Sequence, residues 1–335
     1  MNCAVCRLRL STLLALAAGG LLLASQPAIS QVQGQDCSYL VADRSYSQAF
    51  GGFLNVPMYF GSFGVPSPPG VGLVPNGGAG FITFLRDGTV KGRITLALGG
   101  LGLDQDLTFT DVGQYVLTWD ITKKPIVCSG PLSFGIPGVA QFDFQLLVTR
   151  EGRQIEMIHT DAGLIVSVTG YPVETQGCGN QTIEGRFSED MRGWALSSQK
   201  GPLGFPPEQL LGGYFPFAAS GAVEFRPRVL PPSPSSPGLP AGSRSVVAWD
   251  STSLNGAISQ RVMTGWYKVN PDCSGAMAWR ERQGNADSHF EMFVGESGGA
   301  LYLVNTDTVT VPGLPGPIPA YVIGTTLTRT LEKRD

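Results

Sequence analysis

The chain repeats itself. Cys37-Ser-Tyr-Leu-Val-Ala-Asp-Arg-Ser-Tyr46-Ser-Gln-Ala-Phe-Gly-Gly52-Phe53 aligns without a gap on Cys178-Gly-Asn-Gln-Thr-Ile-Glu-Gly-Arg-Phe187-Ser-Glu-Asp-Met-Arg-Gly193-Trp194. Cys128-Ser-Gly130 recurs as Cys273-Ser-Gly275. The stretch from Phe144-Gln-Leu-Leu-Val148 to Thr160-Asp161 recurs as Phe290-Glu-Met-Phe-Val294 to Thr306-Asp307. A duplication of this kind sets the number of domains and tests each motif by whether the other copy keeps it. It divides the chain into a first module over 37–176 and a second over 177–331. The second carries a proline-rich insertion over 227–243. The connection is short and holds Pro172, Gly177 and Gly179, so the two modules are expected to touch rather than swing on a tether.

The first 30 residues read as a removable targeting segment. Arg7 and Arg9 give a basic start, Leu13 to Ala24 is uncharged and apolar, and Ala28-Ile-Ser30 offers small residues for cleavage before Gln31. The apolar run is shorter than the ~20 residues a spanning helix needs, which favours cleavage over anchoring. The chain is thus expected outside the cytoplasm, secreted or periplasmic, with no integral membrane segment after cleavage. The remaining chain carries a net charge of −5, and no basic run appears, which argues against nucleic acid and anionic membranes as partners. Cys3 and Cys6 leave with the leader. Four cysteines remain in an oxidising compartment and allow three pairings. The duplication selects the symmetric one, Cys37–Cys128 and Cys178–Cys273. In the chain-entropy model such long loops are worth roughly 4–5 kcal/mol each. The cysteines are too dispersed, and too far from any histidine, for a metal site, and no cofactor motif occurs.

Strand signals dominate. Gly80–Phe84 and Thr89–Leu96 flank an Asp87-Gly88 turn. Gly113–Trp119 reads as one strand, matched by Gly265–Val269. Phe142–Val148 and Gln154–Thr160 flank Glu151-Gly152, and Phe290–Val294 and Ala300–Thr306 flank Ser297-Gly-Gly299. A last strand follows in each copy, Leu164–Thr169 and Ala320–Thr328. Gly/Pro-rich segments lie at Gly61–Gly78 and Pro202–Ala219. No window outside the leader has helical periodicity, so each module is all-β, an antiparallel barrel or sandwich with one disulfide. The duplicated aromatics (Tyr115 with Tyr267, Phe144 with Phe290, Phe53 with Trp194, Phe84 with Phe225) are expected in the cores. Pro231–Pro240 reads as a stiff surface loop, and Asn180-Gln-Thr182 is a glycosylation sequon.

Gly295-Glu-Ser297-Gly-Gly299 fits Gly-x-Ser-x-Gly and resembles the nucleophile loop of chymotrypsin-like proteases. The second copy tests it. Ser297 falls where the first copy has Glu151, at a hairpin tip, and no helix follows as a nucleophile elbow needs. The setting Ile158-His159-Thr160-Asp161 also lacks that family's histidine context. A serine hydrolase using Ser297 is therefore the third-ranked reading. Neither His159, which aligns with Asn305, nor His289, which aligns with Asp143, is duplicated. Strand alternation puts Ile155, Met157, His159 and Asp161 on one face, and Leu301, Leu303, Asn305 and Asp307 on the matching one. Each face starts apolar and ends polar, as a barrel mouth would. His159, Asp161, Asn305 and Asp307 are thus the candidate ligand-binding residues. The competing reading is that each Thr-Asp pair only opens a turn.

Gly265-Trp-Tyr-Lys-Val-Asn270-Pro-Asp-Cys273-Ser-Gly275, with Phe290–Val294 and Leu303-Val-Asn-Thr-Asp307, resembles a group of exported bacterial and fungal modules. Their pattern is Gly-Thr-Tyr-x-Val-Asn-x-Asp-Cys-Thr-Gly followed by an Ile-Gln-Thr-Asp segment. The resemblance covers most of both copies and implies lipocalin-like or allene-oxide-cyclase-like β-barrels in tandem. The first copy departs from the pattern at Tyr115-Val-Leu-Thr-Trp119, and the second at its proline-rich insertion. The leading functional expectation is an exported, non-enzymatic protein that binds a small apolar ligand in a barrel. The alternative is a structural or interaction module with filled barrels.

Overall fold

A computed structural model describes residues 35–55, 73–98, 103–120, 127–136, 140–160, 164–174, 176–196, 214–230, 239–254, 256–282, 287–295, 298–309 and 318–330. The leader, Asp161, Ser297, the Gly/Pro-rich stretches before 73 and 214, and residues 231–238 of the proline-rich insertion lie outside them. Two closed antiparallel barrels of eight strands stand in tandem. The first is built from β1 (Arg44–Asn55), β2 (Leu73–Phe84), β3 (Thr89–Leu98), β4 (Leu103–Tyr115), β6 (Val127–Ile136), β7 (Ala140–Thr149), β8 (Gln154–His159) and β9 (Leu164–Val173). Pairing of Gly113–Tyr115 with Phe134–Leu132 closes it, and a short β5 (Thr118–Asp120) pairs with the start of β6. The second contains β10 (Gly185–Leu196), β11 (Tyr214–Val229), β12 (Arg244–Leu254), β13 (Ala257–Val269), β14 (Ser274–Glu281), β15 (Asp287–Gly295), β16 (Ala300–Asn305) and β19 (Tyr321–Arg329). A two-stranded ribbon, β17 (Thr308–Val309) with β18 (Ile318–Pro319), lies between the last two.

One strand boundary is corrected. Gly113–Trp119 is not one strand. Its partner in β6 includes Pro131, which has no N–H to donate, so the ladder is interrupted opposite Val116. Leu117 bonds the N-terminal segment instead, accepting from the Cys37 N–H at 3.2 Å. The Gly/Pro-rich stretches end inside the sheets, with Leu73–Gly78 in β2 and Tyr214–Ala219 in β11.

The disulfides are Cys37–Cys128 and Cys178–Cys273, each at the lower end of its own barrel. An aromatic plug lies beside each. Tyr46, Phe84 and Tyr115 meet edge-on at 5.7 and 5.0 Å, and Phe187, Phe225 and Tyr267 do so at 5.3 and 5.0 Å. These are equivalent positions of the two copies. The plug tyrosines donate to equivalent carbonyls, Tyr115 to Leu85 O at 2.8 Å and Tyr267 to Arg226 O at 3.2 Å. Asn180 of the sequon is occupied by the fold. Its Nδ2 donates to Gly242 O, and its Oδ1 accepts from the Val269 N–H at 2.8 Å.

The barrels touch through an apolar seam. Barrel one presents the outer faces of β1, β2 and β3, and barrel two those of β15, β16 and β19. Ala79, Ala97, Phe293, Ala300, Tyr302, Val304 and Val322 are buried in it. This explains why all six residues of β16 are buried, the inner three by the barrel and the outer three by its neighbour. Phe53 and Trp194 sit at this seam rather than inside the barrels, 5.4 Å apart. Both are at outward parity, one residue out of step with the inward Tyr46 and Phe187 series. Glu291 closes the seam with Arg93 at 2.6 Å and with the Thr95 hydroxyl.

Candidate functional site

The anticipated residues fall at the upper barrel ends, away from the disulfides. His159 ends β8 on its buried face, with its ring edge-on to Phe144 at 5.0 Å and Phe142 at 6.0 Å. Asn305 ends β16 and is buried. The Asp307 carboxylate is consumed locally. It accepts from Asn305 Nδ2 at 3.0 Å and from the His289 N–H at 3.0 Å, and it pairs with His289 Nδ1 at 2.7 Å. Asn305 Oδ1 in turn accepts from the Asp307 N–H at 3.0 Å. Asn305 and Asp307 therefore come together at the mouth of barrel two, whereas His159 belongs to barrel one.

A second set of residues lies inside barrel two. β10 alternates, with Phe187, Glu189 and Met191 buried and the residues between them exposed. The register then runs from Glu189 to Gly221, from Gly221 to Asp250, and from Asp250 to Arg261. Three ionisable side chains thus share one inward row across four strands. Gly221 contributes no side chain, and a Cβ there would come within 2.7 Å of Asp250 Cα, so the backbones approach closely at this point.

The electrostatics of the row are uneven. Asp250, with no exposed side-chain surface, forms a two-point pair with Arg261, through Nε–Oδ1 at 3.0 Å and Nη2–Oδ2. The Arg261 guanidinium also lies 5.8 Å above the Phe217 ring, which packs edge-on against Tyr321. Burial disfavours its charge, but the bonds and attraction from Asp250 outweigh that and raise its pKa. Glu189 is 2% exposed, and neither carboxyl oxygen has a hydrogen-bond partner. Burial, with repulsion from Asp250 added and attraction to Arg261 opposing, pushes its pKa up to about 8. The hydroxyl of Thr325, on the inner face of β19, is also buried and unpartnered. Thr325 is opposite Met191 in the register, one inward position from Glu189. Burial likewise raises the pKa of the Tyr321 hydroxyl.

Barrel one has the same row with different chemistry, Gln48, Gly80 and Ile94, and the backbone register then runs from Ile94 to Leu107. The Gln48 Oε1 is buried and unpartnered too. Sequence reasoning missed Glu189, Asp250 and Arg261. The available signal was alternation: an acid inside Phe187-Ser-Glu-Asp-Met191, aligned with an amide at the same inward position of the other copy.

One glycine of the protease-like string has a structural explanation. Gly298 has φ +86° and packs against Thr182 O, as Gly152, with φ +82°, packs against Leu40 O in the other copy. Among the described residues, which do not include Ser297, nothing supports a serine hydrolase. Among the described residues no cluster of His, Cys, Asp and Glu could hold a metal, and no helix is long and apolar enough to cross a membrane. A surface depression of about 530 Å³ between the start of β1 and the end of β9, lined by Asp43, Arg44, Pro172 and Glu174, belongs to barrel one, whereas the row is in barrel two.

No family model matches the chain, and no curated protein matches it. Among solved structures, the crystal structure of a protein of unknown function from the DUF3598 family of Nostoc punctiforme aligns with 88% of this chain and 98% of its own. The identity is 10% and the TM-score 0.20, too low to carry an argument.

Proposed function

We propose that the protein is an exported, non-enzymatic tandem barrel that holds a small, largely apolar molecule inside barrel two, above the aromatic plug. The observation that carries this reading is Glu189: a buried carboxyl whose two oxygens have no partner in the chain. An unsatisfied buried polar group costs about 1–3 kcal/mol, and more when charged, so a partner from outside the chain is the economical account of its retention. The wall around it suits an adaptable site. Among the described residues, Met191, Met263, Met277 and Met292 are in the buried core of barrel two, whereas barrel one's core has Met157 alone. The leader and the two disulfides support export.

Native mass spectrometry of the secreted, disulfide-bonded chain tests this. The expected result is a mass above that of the bare chain, lost on denaturation. A second reading, filled barrels acting as a structural module, draws on the aromatic packing of barrel one, where Phe134 and Phe144 stack at 5.4 Å. A bare mass at every collision energy would favour it.

A further inference from the structure

We propose that the molecule held in barrel two is an organic monocation, an ammonium group on an apolar body, with its N–H donors on Glu189 and the Thr325 hydroxyl. The inference rests on the ligand-binding reading and names its chemical class. The argument is charge balance in a closed row. Asp250 already has its counter-ion in Arg261, held at two points. An ionised Glu189 would leave that row one negative charge in excess.

The rest of the upper interior deepens the excess rather than cancelling it. β14 brings Glu281 to the same end as Tyr321, and Asp307 follows β16. Both carboxylates act on the Tyr321 hydroxyl, as does Arg261 with the opposite sign. β10 supplies Glu189 and β12 Asp250. β11 supplies no charge at the row, because its residue there is Gly221. On β15, His289 is already paired with Asp307. Arg261 is therefore the one guanidinium in the row, and it is committed to Asp250. An anionic ligand would meet this surplus of carboxylates, and a neutral one would leave Glu189 to keep its proton.

A cation does neither. Its charge draws Glu189 into the ionised form, and its donors satisfy buried oxygens that lack partners. Glu189 holds a proton at neutral pH because its pKa stands at about 8. Binding therefore converts a neutral carboxyl to a carboxylate, and the proton lost from Glu189 Oε passes to solvent.

The test uses the full disulfide-bonded chain and three probes of equal length: decylammonium, decanol and decanoate. Each is titrated calorimetrically at pH 7 in two buffers of different ionisation enthalpy. Decylammonium is expected to bind most tightly and to release close to one proton per molecule. Glu189→Gln should weaken decylammonium by about tenfold or more and abolish the proton release. Proton release from the unmodified chain is read without any variant, so the proposal stands or falls even if the variant does not fold. Equal or tighter binding of decanol or decanoate, with no proton released, overturns the cation proposal and leaves the ligand-binding reading in place. No binding of any probe, together with a bare native mass, overturns both.

Discussion

The two barrels share their lower ends and differ in their middles. Each has a disulfide, an edge-on aromatic chain of three rings and a tyrosine hydroxyl on an equivalent carbonyl. One inward position above the plug residue of β1 or β10, the copies part. Barrel one has Gln48, Gly80, Ile94 and Leu107, and barrel two has Glu189, Gly221, Asp250 and Arg261. Their outer faces part as well. The seam joins mainly unlike faces, β1, β2 and β3 of barrel one against β15, β16 and β19 of barrel two. Ala79, Thr95 and Ala97 of the buried face correspond to Ser220, Ser251 and Ser253 on barrel two. Ala300, Tyr302 and Val304 correspond to Gln154, Glu156 and Ile158 on barrel one. Polar residues on the free faces blunt a contact that would otherwise repeat from chain to chain. The packing that defines a barrel is common to the copies, and the chemistry that distinguishes them lies in one row and two faces.

The row gives the largest expected effect. Asp250→Ala leaves Arg261, whose side chain is only 20% exposed, without its counter-ion, and should cost about 3–5 kcal/mol in denaturant unfolding. Rewriting the whole row as barrel one has it, with Glu189→Gln, Asp250→Ile and Arg261→Leu, should behave in the opposite sense. It removes both buried charges and the orphaned acid together, and stability should be unchanged or higher by about 1–4 kcal/mol. Retained ligand mass in native spectra should disappear. A rewritten chain as unstable as Asp250→Ala would mean that the charged row is structural, and the contrast between the barrels would lose its functional meaning.

The same contrast has a pH signature. The folded-state pKa of Glu189, about 8, lies above its ordinary value of 4.5, so the folded chain binds this proton more tightly than the unfolded one. The resulting stabilisation is complete below the ordinary value. It falls as pH rises towards 8, by at most about 1.4 kcal/mol per unit, and levels off beyond. Gln48 adds no such slope in barrel one. Urea midpoints from pH 5 to 9, followed through the buried Trp279 of barrel two, should decline in the unmodified chain and flatten in Glu189→Gln. Parallel slopes would remove Glu189 as their source.

Much of this architecture is written in local signals. The cysteine pairing follows from the repeat, and the hairpins of β7–β8 and β15–β16 follow from turn glycines between alternating strands. What escapes local reading is non-local. Ala79 and Ala97 look like ordinary small surface residues until another barrel covers them. The run Ala300-Leu-Tyr-Leu-Val304 does hint that both faces of its strand are covered. Asp307 has the residue type of a ligand-binding acid, yet its oxygens are used by Asn305 and His289. Glu189 needs the parity of β10 to be known before its burial can be inferred, and Asp250 and Arg261 need the register of two further strands.

The smallest effect tests the part the copies share. Tyr115→Phe and Tyr267→Phe each remove one hydroxyl from a plug and leave the ring contacts at 5.0 Å intact. Tyr267→Phe takes the hydroxyl donor from Arg226 O, whereas Leu85 O keeps the Gly88 N–H at 3.1 Å after Tyr115→Phe, and a loss of about 0.5–1.5 kcal/mol is expected for each. The two sites lie in separate barrels with no shared partner, so the double variant should lose the sum to within about 0.5 kcal/mol. Coupling beyond that margin would show that the seam transmits strain from one plug to the other, and that the barrels are one cooperative unit rather than two copies of a stable fold.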